Sequence, residues 1–596
     1  MRLQSAVLFV ILALSSSLAP AATFSSGISG GNVVSTVPGD YASLKDAGDD
    51  FSNYTGSING NWTLSITGNL TETHNARFGN NVPLGRTVTI KPAPATFPIV
   101  TFTSETRNGT SGTIWDGHIV VGVAAASGAN ANATSNFVDT DNFIIDGSNT
   151  VSGVSRDLRF TNSTTTSTDV PRIMVHVIGR CDNVTVKNCV IDNQTSGASN
   201  GITTDNICVQ FSGRRDASTV VHVPTNPRVE NCILRATVGD LSQGVKGYNF
   251  GGSIPAGTAG GAITGMAVTK NDVTATLRGI FYDANAGGEI SDNKVHMAVT
   301  TLPSTQRPVA IQHTGSVGVS GGWTMNILRN TVDQLKTNAS QGILFAVGIG
   351  GGLTGTNTGV TNVLNNMIAG FDYQVQQTAV PPVSSGFLMR AISVENGAVA
   401  GATINIDHNS INMLNQPGPQ PQSLATPGDP GNRLSVISLL NATGYAGTLN
   451  IRNNIIRVTQ QYAAILSGPT GAATINFANL NLSNNTYFYG GTNTVMAKFN
   501  GTTYNTLADW QAAGEDTVGS NTADPLSGAP GSGRWYHDIN LHFDAEPAAI
   551  YAAPVLAGAG NDVDNQVRPN PASAQIERGA DEFYAPISAI REWMLF

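Results

Sequence analysis

The chain has 596 residues, of which 40% are hydrophobic and 12% are charged, and its formal net charge is −9. This length is several times that of one globular domain, so the chain forms either several domains or one elongated repeat. The apolar content excludes a disordered chain. The acidic balance, without a cluster of lysine and arginine, argues against nucleic acid and anionic membranes as partners.

The first 22 residues are organised like a secretory signal peptide. Arg2 precedes an apolar run from Ala6 to Leu14, and small residues follow, with an A-x-A cleavage pattern at 19–21. The apolar run is about half as long as a membrane-spanning segment, which argues against membrane insertion. We expect cleavage after Ala21 or Ala22, and a mature protein that is secreted or held at the cell surface.

Residues 23–125 are predicted to form an N-terminal cap and the first coils of a repeat. The segment Asp40–Phe51 is a short helix candidate, and Arg86–Pro94 reads as a strand. The 66 glycines, together with few lysines and glutamates, favour many short strands joined by turns over long helices.

A short phrase recurs along residues 126–500. It reads apolar, polar, polar, Asn, any residue, then Ile or Val in most copies, as in Asn405–Met413 and Asn450–Val458. The intervals between its asparagines vary from 22 to 45 residues. These asparagines are Asn188, Asn231, Asn271, Asn293, Asn330, Asn366, Asn409, Asn454 and Asn485.

A constant phrase with variable spacing indicates an all-β solenoid, the right-handed parallel β-helix. Equivalent residues of successive coils then stack about 4.8 Å apart while the loops between them vary freely. The asparagine is expected at a coil corner, where its amide can pair with backbone groups of the turn, and the residue two positions later is expected in the core. A β-rich segment bounded by Gly or Pro is expected before each phrase; examples are 172–179, 206–213, 279–284, 308–315, 342–350 and 386–394.

Four cysteines are present, and two of them share a context. Cys189 and Cys232 each follow the phrase asparagine, so they are predicted to stack in neighbouring coils, either as free thiols, which we favour, or as a disulfide. No C-x-x-C pair exists, so a zinc site is improbable. The other two cysteines are Cys181 and Cys208.

The ends of a solenoid need caps, because terminal coils expose apolar faces and unpaired edges. Residues 501–585 are predicted to be a C-terminal capping segment, followed by a tail at 586–596. The order of Asp40–Phe51, Arg86–Pro94 and Asp141–Asn149, and the closing segments Thr506–Pro525 and Asn565–Phe583, resemble secreted bacterial β-helix proteins of the pectin-lyase-like superfamily. That resemblance implies the architecture but not an activity, since the superfamily mixes lyases, hydrolases, adhesins and proteins of unknown role.

Chemistry is expected on an outward column of side chains in the β-rich segments. Aligning those segments predicts the column His176, Gln210, Asp283, Gln312, Ala346 and Arg390, with Lys246 contributing from the coil between. A lyase that acts on a uronic acid needs a cation or Ca²⁺ for the carboxylate and an Arg or Lys base, whereas a hydrolase needs paired carboxylates. The candidate catalytic residues are Lys246, Asp283, His313 and Arg390, although Asp283 and Arg390 are predicted three coils apart.

Two further motifs are candidates for a metal or catalytic site. Asp562 and Asp564 are two residues apart, a spacing suited to Ca²⁺, although a solvated turn is the commoner use of that spacing. Asp407-His408 is superficially like a pectate-lyase motif, but it lies on the repeat phrase, which favours ordinary loop variation. No other cofactor is expected.

Two functions remain open on the sequence alone. The first is a secreted, non-catalytic β-helix that binds extracellular polysaccharide or acts as a surface or matrix adhesion module. The alternative is a polysaccharide lyase or glycoside hydrolase with a groove on one β-helix face. The absence of a complete catalytic constellation favours the first slightly.

Overall fold

A computed structural model shows that the chain winds into three long β-sheets. The structure describes residues 22–103, 117–122, 138–162, 172–194, 206–215, 221–238, 242–248, 262–283, 285–297, 308–314, 322–333, 335–337, 343–350, 359–373, 388–394, 401–413, 434–439, 447–458, 463–468, 477–490, 494–520, 552–553, 556, 560–568 and 576–580. The predicted signal peptide and the tail at 586–596 lie outside these residues, apart from Ala22.

Each coil contributes one strand to the first sheet, then one to the third and one to the second. The first sheet has 13 strands: Val33–Val37, Trp62–Ile66, Val88–Pro92, Phe143–Asp146, Thr185–Lys187, Arg228–Glu230, Ala267–Thr269, Gly288–Ser291, Thr324–Leu328, Val360–Leu364, Thr403–Asp407, Thr448–Arg452 and Leu480–Ser483. The second also has 13: Ala76–Phe78, Ile119–Val121, Ile173–Ile178, Asn206–Ser212, Ser242–Tyr248, Arg278–Asp283, Val309–His313, Ile343–Ile349, Leu388–Val394, Leu434–Leu439, Ala464–Ser467, Val495–Phe499 and Thr502–Tyr504. The third has 12: Leu70–Glu72, Ile99–Phe102, Leu158–Asn162, Cys189–Asp192, Ile233–Ala236, Asp272–Ala275, Lys294–Met297, Thr331–Asp333, Met367–Ile368, Ser410–Met413, Ile455–Val458 and Thr486–Tyr489.

All pairings within the three sheets are parallel except the last one in the second sheet. There Thr502–Tyr504 runs antiparallel to Val495–Phe499 and closes the stack. The predicted right-handed parallel β-helix is therefore confirmed. Three short strand pairs lie outside the sheets: Arg214–Arg215 with Val221–His222, Leu335–Thr337 with Phe371–Tyr373, and Ala552–Ala553 with Ile576–Glu577.

Apolar side chains from all three sheets fill one continuous core. In the first sheet the burial alternates simply, so that Ile404 and Ile406 face the core while Thr403 and Asn405 face outward. Every coil repeats this choice at the same register, because each strand pairs residue for residue with the next. The strict register is why a sequence phrase can recur although the loops differ in length.

An asparagine ladder occupies the corner between the first and third sheets in seven consecutive coils. Its members are buried: Asn271, Asn293, Asn330, Asn366, Asn409, Asn454 and Asn485. The Nδ2 of each donates to the Oδ1 of the next at 2.9–3.0 Å and to a carbonyl of the preceding coil's first-sheet strand at 2.8–3.0 Å. Each Oδ1 beyond the first also accepts the backbone N–H of the preceding asparagine.

The ladder ends in an acidic residue. Asn485 Nδ2 donates to Asp516 Oδ2 at 2.9 Å, and the Tyr487 hydroxyl donates to the same oxygen at 2.6 Å. All amides of the ladder point the same way, so its last position requires acceptors only, which a carboxylate supplies. The predicted corner role of the asparagines is confirmed for these seven coils.

Two positions of the predicted repeat are shifted by one residue. The register pairs Val190 with Ile233 and Ile233 with Asp272, so that Cys189 and Cys232, not the asparagines before them, stand in the ladder position. Asn188 and Asn231 instead take the preceding position, whose backbone is left-handed in every one of these coils, with φ of 57° and 52° here. Asparagine is well suited to both positions, and the phrase alone therefore misaligned these two coils.

The four cysteines are free and buried, as favoured from the sequence. Cys232 makes contacts that correspond to those of the ladder asparagines. Its N–H donates to Asn271 Oδ1 at 2.9 Å, and its Sγ lies 3.7 Å from the Val186 carbonyl, the counterpart of the Val229 carbonyl to which Asn271 donates. Burial raises the pKa of the Cys189 thiol well above its usual value, helped by the neighbouring Cys232.

A helix caps the N-terminal end, as predicted. It spans Leu44–Asn53, with Ser43 as its N-cap accepting from the Asp46 N–H, and it follows a shorter helix at Phe24–Gly27. Phe51 stacks on Trp62 with the ring centroids 5.6 Å apart, which seals the apolar end of the first coils.

The C-terminal segment does more than close the last coil. After a helix at Leu507–Ala512, residues 560–568 and 576–580, here named the C-terminal strap, lie against the corner beside the asparagine ladder. The strap hydrogen bonds are Asn365 Nδ2 to Asn561 O at 2.6 Å, Arg568 Nη1 to His408 Nδ1 at 3.0 Å, Gly579 N to Asn453 O at 2.7 Å, Ala580 N to Ser410 Oγ at 2.9 Å, and Arg578 Nη1 to Thr486 Oγ1 at 3.0 Å. The strap thus joins several coils that are distant in sequence. Within the described ranges, no helix combines the length and apolarity needed to cross a membrane.

Candidate functional site

The second sheet presents two columns of outward side chains. In Leu388–Val394 the core contains Met389, Ala391, Ile392 and Val394, and the intervening positions 390 and 393 face outward. The same order recurs in the other long strands of this sheet. The first outward column is Ile173, Ile207, Gln243, Arg278, Val309, Phe345, Arg390, Ser435, Ala464 and Val495. The second is Arg77, Val120, His176, Gln210, Lys246, Phe281, Gln312, Gly348, Ser393, Ser438, Ser467 and Lys498.

The register corrects the predicted column. Lys246 does pair with Gln210, but its next neighbour is Phe281 rather than Asp283. Ala346 is a core residue, and Arg390 belongs to the first column. The reason is that two successive residues in the middle of each strand face the core, so extrapolating a strict two-residue period selects the wrong positions on either side.

Cations lie over aromatic rings in the middle of these columns. The Arg278 guanidinium carbon is 4.1 Å from the Phe281 ring centroid, and Lys246 Nζ of the preceding coil is 5.9 Å from the same centroid. Three coils beyond Arg278, the guanidinium carbon of Arg390 lies 5.3 Å from the ring centroid of Phe345. Such pairs hold the charged groups in defined positions.

Amide and hydroxyl groups complete this face. The Oε1 of Gln312 is buried and accepts no hydrogen bond from any residue that the structure describes. Ser467 Oγ lies 3.0 Å from both Ser435 Oγ and Ser438 Oγ, and Arg390 Nη1 donates to Ser393 Oγ at 3.3 Å. The two columns contain no aspartate or glutamate along the strands that the structure describes, and their basic residues are Arg77, His176, Lys246, Arg278, Arg390 and Lys498. Asp283 lies beside the second column, in line with Tyr248 and Ser212.

A serine, a histidine and a glutamine meet near the N-terminal end of the same face. His176 Nε2 lies 2.9 Å from Ser212 Oγ, and Gln210 Nε2 lies 2.7 Å from that Oγ and 3.2 Å from His176 Nε2. All three side chains are buried. The sequence placed His176 and Gln210 on the column but missed Ser212, whose position depends on the pairing of Ser212 with Ile178.

The structure does not bring the four predicted catalytic residues together. Lys246 stands on the second outward column, and Arg390 stands on the first, four strands further along the sheet. Asp283 lies at the end of its strand and accepts from Thr314 Oγ1 at 3.0 Å. His313 faces the core and packs against Trp323 at 5.1 Å; burial lowers the pKa of His313 to about 4.

The two predicted calcium ligands, Asp562 and Asp564, lie in a turn that the Asp562 carboxylate stabilises. Asp562 is fully buried, and its Oδ1 accepts the backbone N–H groups of Asp564 at 3.0 Å and Gln566 at 2.7 Å. Across the described part of the chain, no three His, Cys, Asp or Glu side chains are grouped so that they could hold a metal ion. Asp407, in the other weighed motif, forms an ion pair with Arg452 at 2.6 Å. Calcium binding therefore stays a prediction without a formed site to support it.

Charged residues also line the outward face of the third sheet, which sequence reasoning missed. Asp192 is buried between Arg159 at 2.6 Å and Arg235 at 3.3 Å. Two coils after Arg235, His296 pairs with Asp333 and lies 3.5 Å from Asp272. Burial opposes the imidazolium form, but the two carboxylates outweigh it and raise the pKa of His296 to about 9. In each pair the opposite charges neutralise one another, so we interpret the charged residues of this face as stabilising ion pairs.

No protein-family model and no curated protein matches the chain. Among solved structures, it is similar to the Dettilon tailspike protein, with 12% sequence identity, a TM-score of 0.30, and 78% of this chain and 66% of that chain covered, just under two thirds of the tailspike's length. It is also similar to a mannuronic acid specific polysaccharide family 6 lyase enzyme from human gut microbiota, with 8% identity, a TM-score of 0.34, and 83% of this chain and 92% of that chain covered. Neither likeness identifies an activity for this chain.

Proposed function

We propose that this β-helix is an exported protein that binds extracellular polysaccharide along the outward face of the second sheet. The observation that supports the proposal most directly is the arrangement of Lys246 and Arg278 around the ring of Phe281. Aromatic rings offer flat apolar surfaces to sugar rings, and fixed cations suit acidic substituents. The parallel columns favour a chain-like ligand lying along the stack, because they repeat at about 4.8 Å.

The columns also supply neutral polar groups that can form hydrogen bonds with sugar hydroxyls. Gln312, Ser393, Ser435 and Ser438 follow the cationic coils along the same face. The side chains of this face are mostly buried, among them Phe281, Lys246, Ser393, Ser435 and Ser438. Binding therefore requires that the face open to admit a glycan.

The test is a glycan array of acidic and neutral polysaccharides probed with the exported chain and two double variants. Lys246→Gln with Arg278→Gln removes the two cations at Phe281. Arg228→Gln with Lys294→Gln removes the same charge from exposed positions on the first and third sheets and serves as the control. We expect binding to acidic glycans that weakens at least about 10-fold in the first variant only, as the loss of charge-assisted contacts predicts.

Absence of binding to every glycan, or equal weakening in both variants, would refute the proposal. The lyase or hydrolase alternative is examined in the same samples. Appearance of an unsaturated product in the ultraviolet, or of new reducing ends, in the wild-type incubation would replace a purely binding function by a catalytic one.

A further inference from the structure

We infer that Ser212, His176 and Gln210 form an acyl-transfer site that removes ester substituents, such as O-acetyl groups, from the glycan bound on this face. The choice of a glycan ester rests on the proposed function; the hydrolysis of esters does not. Ser212 and Gln210 are two residues apart on one strand and therefore share a face, and His176 pairs with Gln210 from the neighbouring strand.

The hydrogen bonds fix the roles of the three groups. With Gln210 Nε2 as the donor in its 3.2 Å contact with His176 Nε2, that imidazole nitrogen is the acceptor. The same nitrogen lies 2.9 Å from Ser212 Oγ, which can therefore donate its proton to it. This is the tautomer that a general base needs when it activates a serine hydroxyl.

The imidazole is held by its strand and by a close backbone approach. His176 is paired between Val120 and Gln210. A Cβ added to Gly117 would lie 2.9 Å from the Cβ of His176, so only glycine fits there without displacement. The strand pairing and the close approach of Gly117 thus help to position the histidine against Ser212.

The proposed reaction proceeds in two balanced steps. Ser212 Oγ attacks the ester carbonyl carbon while its proton passes to His176 Nε2; the bond to the glycan oxygen breaks, and that oxygen takes the proton from His176. Water then attacks the acyl-serine, His176 accepts the water proton and returns it to Ser212 Oγ, and the carboxylic acid leaves. Gln210 Nε2, 2.7 Å from Oγ, is placed to donate to the carbonyl oxygen as it gains negative charge.

The test uses the full exported chain with two probes, a fluorophosphonate reagent and p-nitrophenyl acetate. We expect covalent labelling that peptide mapping assigns to Ser212, and ester hydrolysis that Ser212→Ala abolishes. His176→Gln should lower the acylation rate by about 100-fold or more and remove the rise of rate with pH that a neutral imidazole base produces. Gln210→Leu should lower it by about 100-fold.

Ser65→Ala, on the first sheet, is the matched serine control and should leave both readouts unchanged. An unlabelled Ser212 in the folded wild-type chain would overturn the inference, because the buried hydroxyl would then be a structural hydrogen-bond partner only. Hydrolysis that persists in Ser212→Ala would overturn it too. Glycan-array binding by Ser212→Ala separates the two proposals: binding without esterase activity leaves the proposed function intact, and esterase activity without glycan binding removes only the glycan as substrate.

Discussion

Asn366 and Asn409 are 43 residues apart in sequence, yet two hydrogen bonds join them. The Oδ1 of Asn409 accepts both the backbone N–H and the Nδ2 of Asn366, each at 3.0 Å. The carboxamide of Asn366 receives the corresponding pair from Asn330. The Asn366 side chain therefore satisfies buried polar groups of both neighbouring coils, which makes the corner of each coil dependent on its neighbours.

Replacing Asn366 by alanine should be strongly destabilising. The change leaves the buried N–H of Asn330 and the carbonyl of Ile327 without their partners, which costs about 2–4 kcal/mol in the free energy of unfolding. Urea unfolding measures this. The control is Asn362→Ala on the same coil, whose half-buried side chain forms an outward ladder with Asn326 and Asn405, and which should cost less than about 1 kcal/mol. Equal costs at the two sites would contradict the role assigned to the inner ladder.

Cys232→Asn should be tolerated, because it extends the ladder by one coil. The new amide would find the Val186 carbonyl where Cys232 Sγ now lies, and Asn271 Oδ1 already accepts the N–H of residue 232. We expect a melting temperature within a few degrees of the wild type, corresponding to less than about 1 kcal/mol. Cys208→Asn, at an equally buried position without this setting, should lower it clearly. Similar losses in both variants would argue against the equivalence of cysteine and asparagine at the corner.

Stability should fall in mildly alkaline solution through His296. Because folding raises the pKa of this imidazole from an ordinary value near 6.5 to about 9, its contribution is complete below pH 6.5 and is lost as the pH rises through 9. A shift of this size corresponds to about 3 kcal/mol at most. Thermal unfolding between pH 6 and pH 10 should show the decline in the wild type and a flatter profile in His296→Gln. His74→Gln, at an exposed site between the strands Leu70–Glu72 and Ala76–Phe78, should keep the wild-type profile; a His296→Gln profile equal to the wild type would disprove the assignment.

Arg568→Met should loosen the C-terminal strap. The substitution removes the donor to His408 Nδ1 and leaves that buried nitrogen to other partners, at a cost of about 1–3 kcal/mol. Limited proteolysis should then cut within residues 560–580 sooner than in the wild type, while the first coils stay protected. Lys294→Met, at an exposed position on the third sheet, provides the comparison for loss of a positive charge. Unchanged cleavage in Arg568→Met would mean that other contacts hold the strap.

The architecture was predictable because its signal is repeated many times over. The asparagine phrase in seven coils, the β-rich segments and the capping helix are found in the structure at the predicted places. Single coils were less predictable. Asparagine is well suited to both the left-handed position and the ladder position that follows it, so the phrase assigned Asn188 to the ladder, whereas the structure has Cys189 there. Only pairing with the neighbouring strand, which places Val190 opposite Ile233, separates the two.

The candidate site was harder to predict for a related reason. Outward positions were assigned by simple alternation, but two adjacent core residues in each long strand, such as Ala391 and Ile392, reverse the alternation midway. The alternation does predict the outward position of Lys246, but it does not identify Phe281 and Ser212 as outward residues of the site. Their significance arises from neighbours on other coils, which a single sequence does not display.

The ladder also determines how such a chain can change its length. Removal of residues 294–330 would place Thr331 directly after Asn293, and Thr331 already pairs with Lys294, the residue it would replace. One complete turn would disappear, and Asn293 would meet Asn366 in the way that Asn330 now does. Deletions or duplications between corner asparagines are therefore expected to shorten or lengthen the β-helix by whole turns while keeping the ladder continuous.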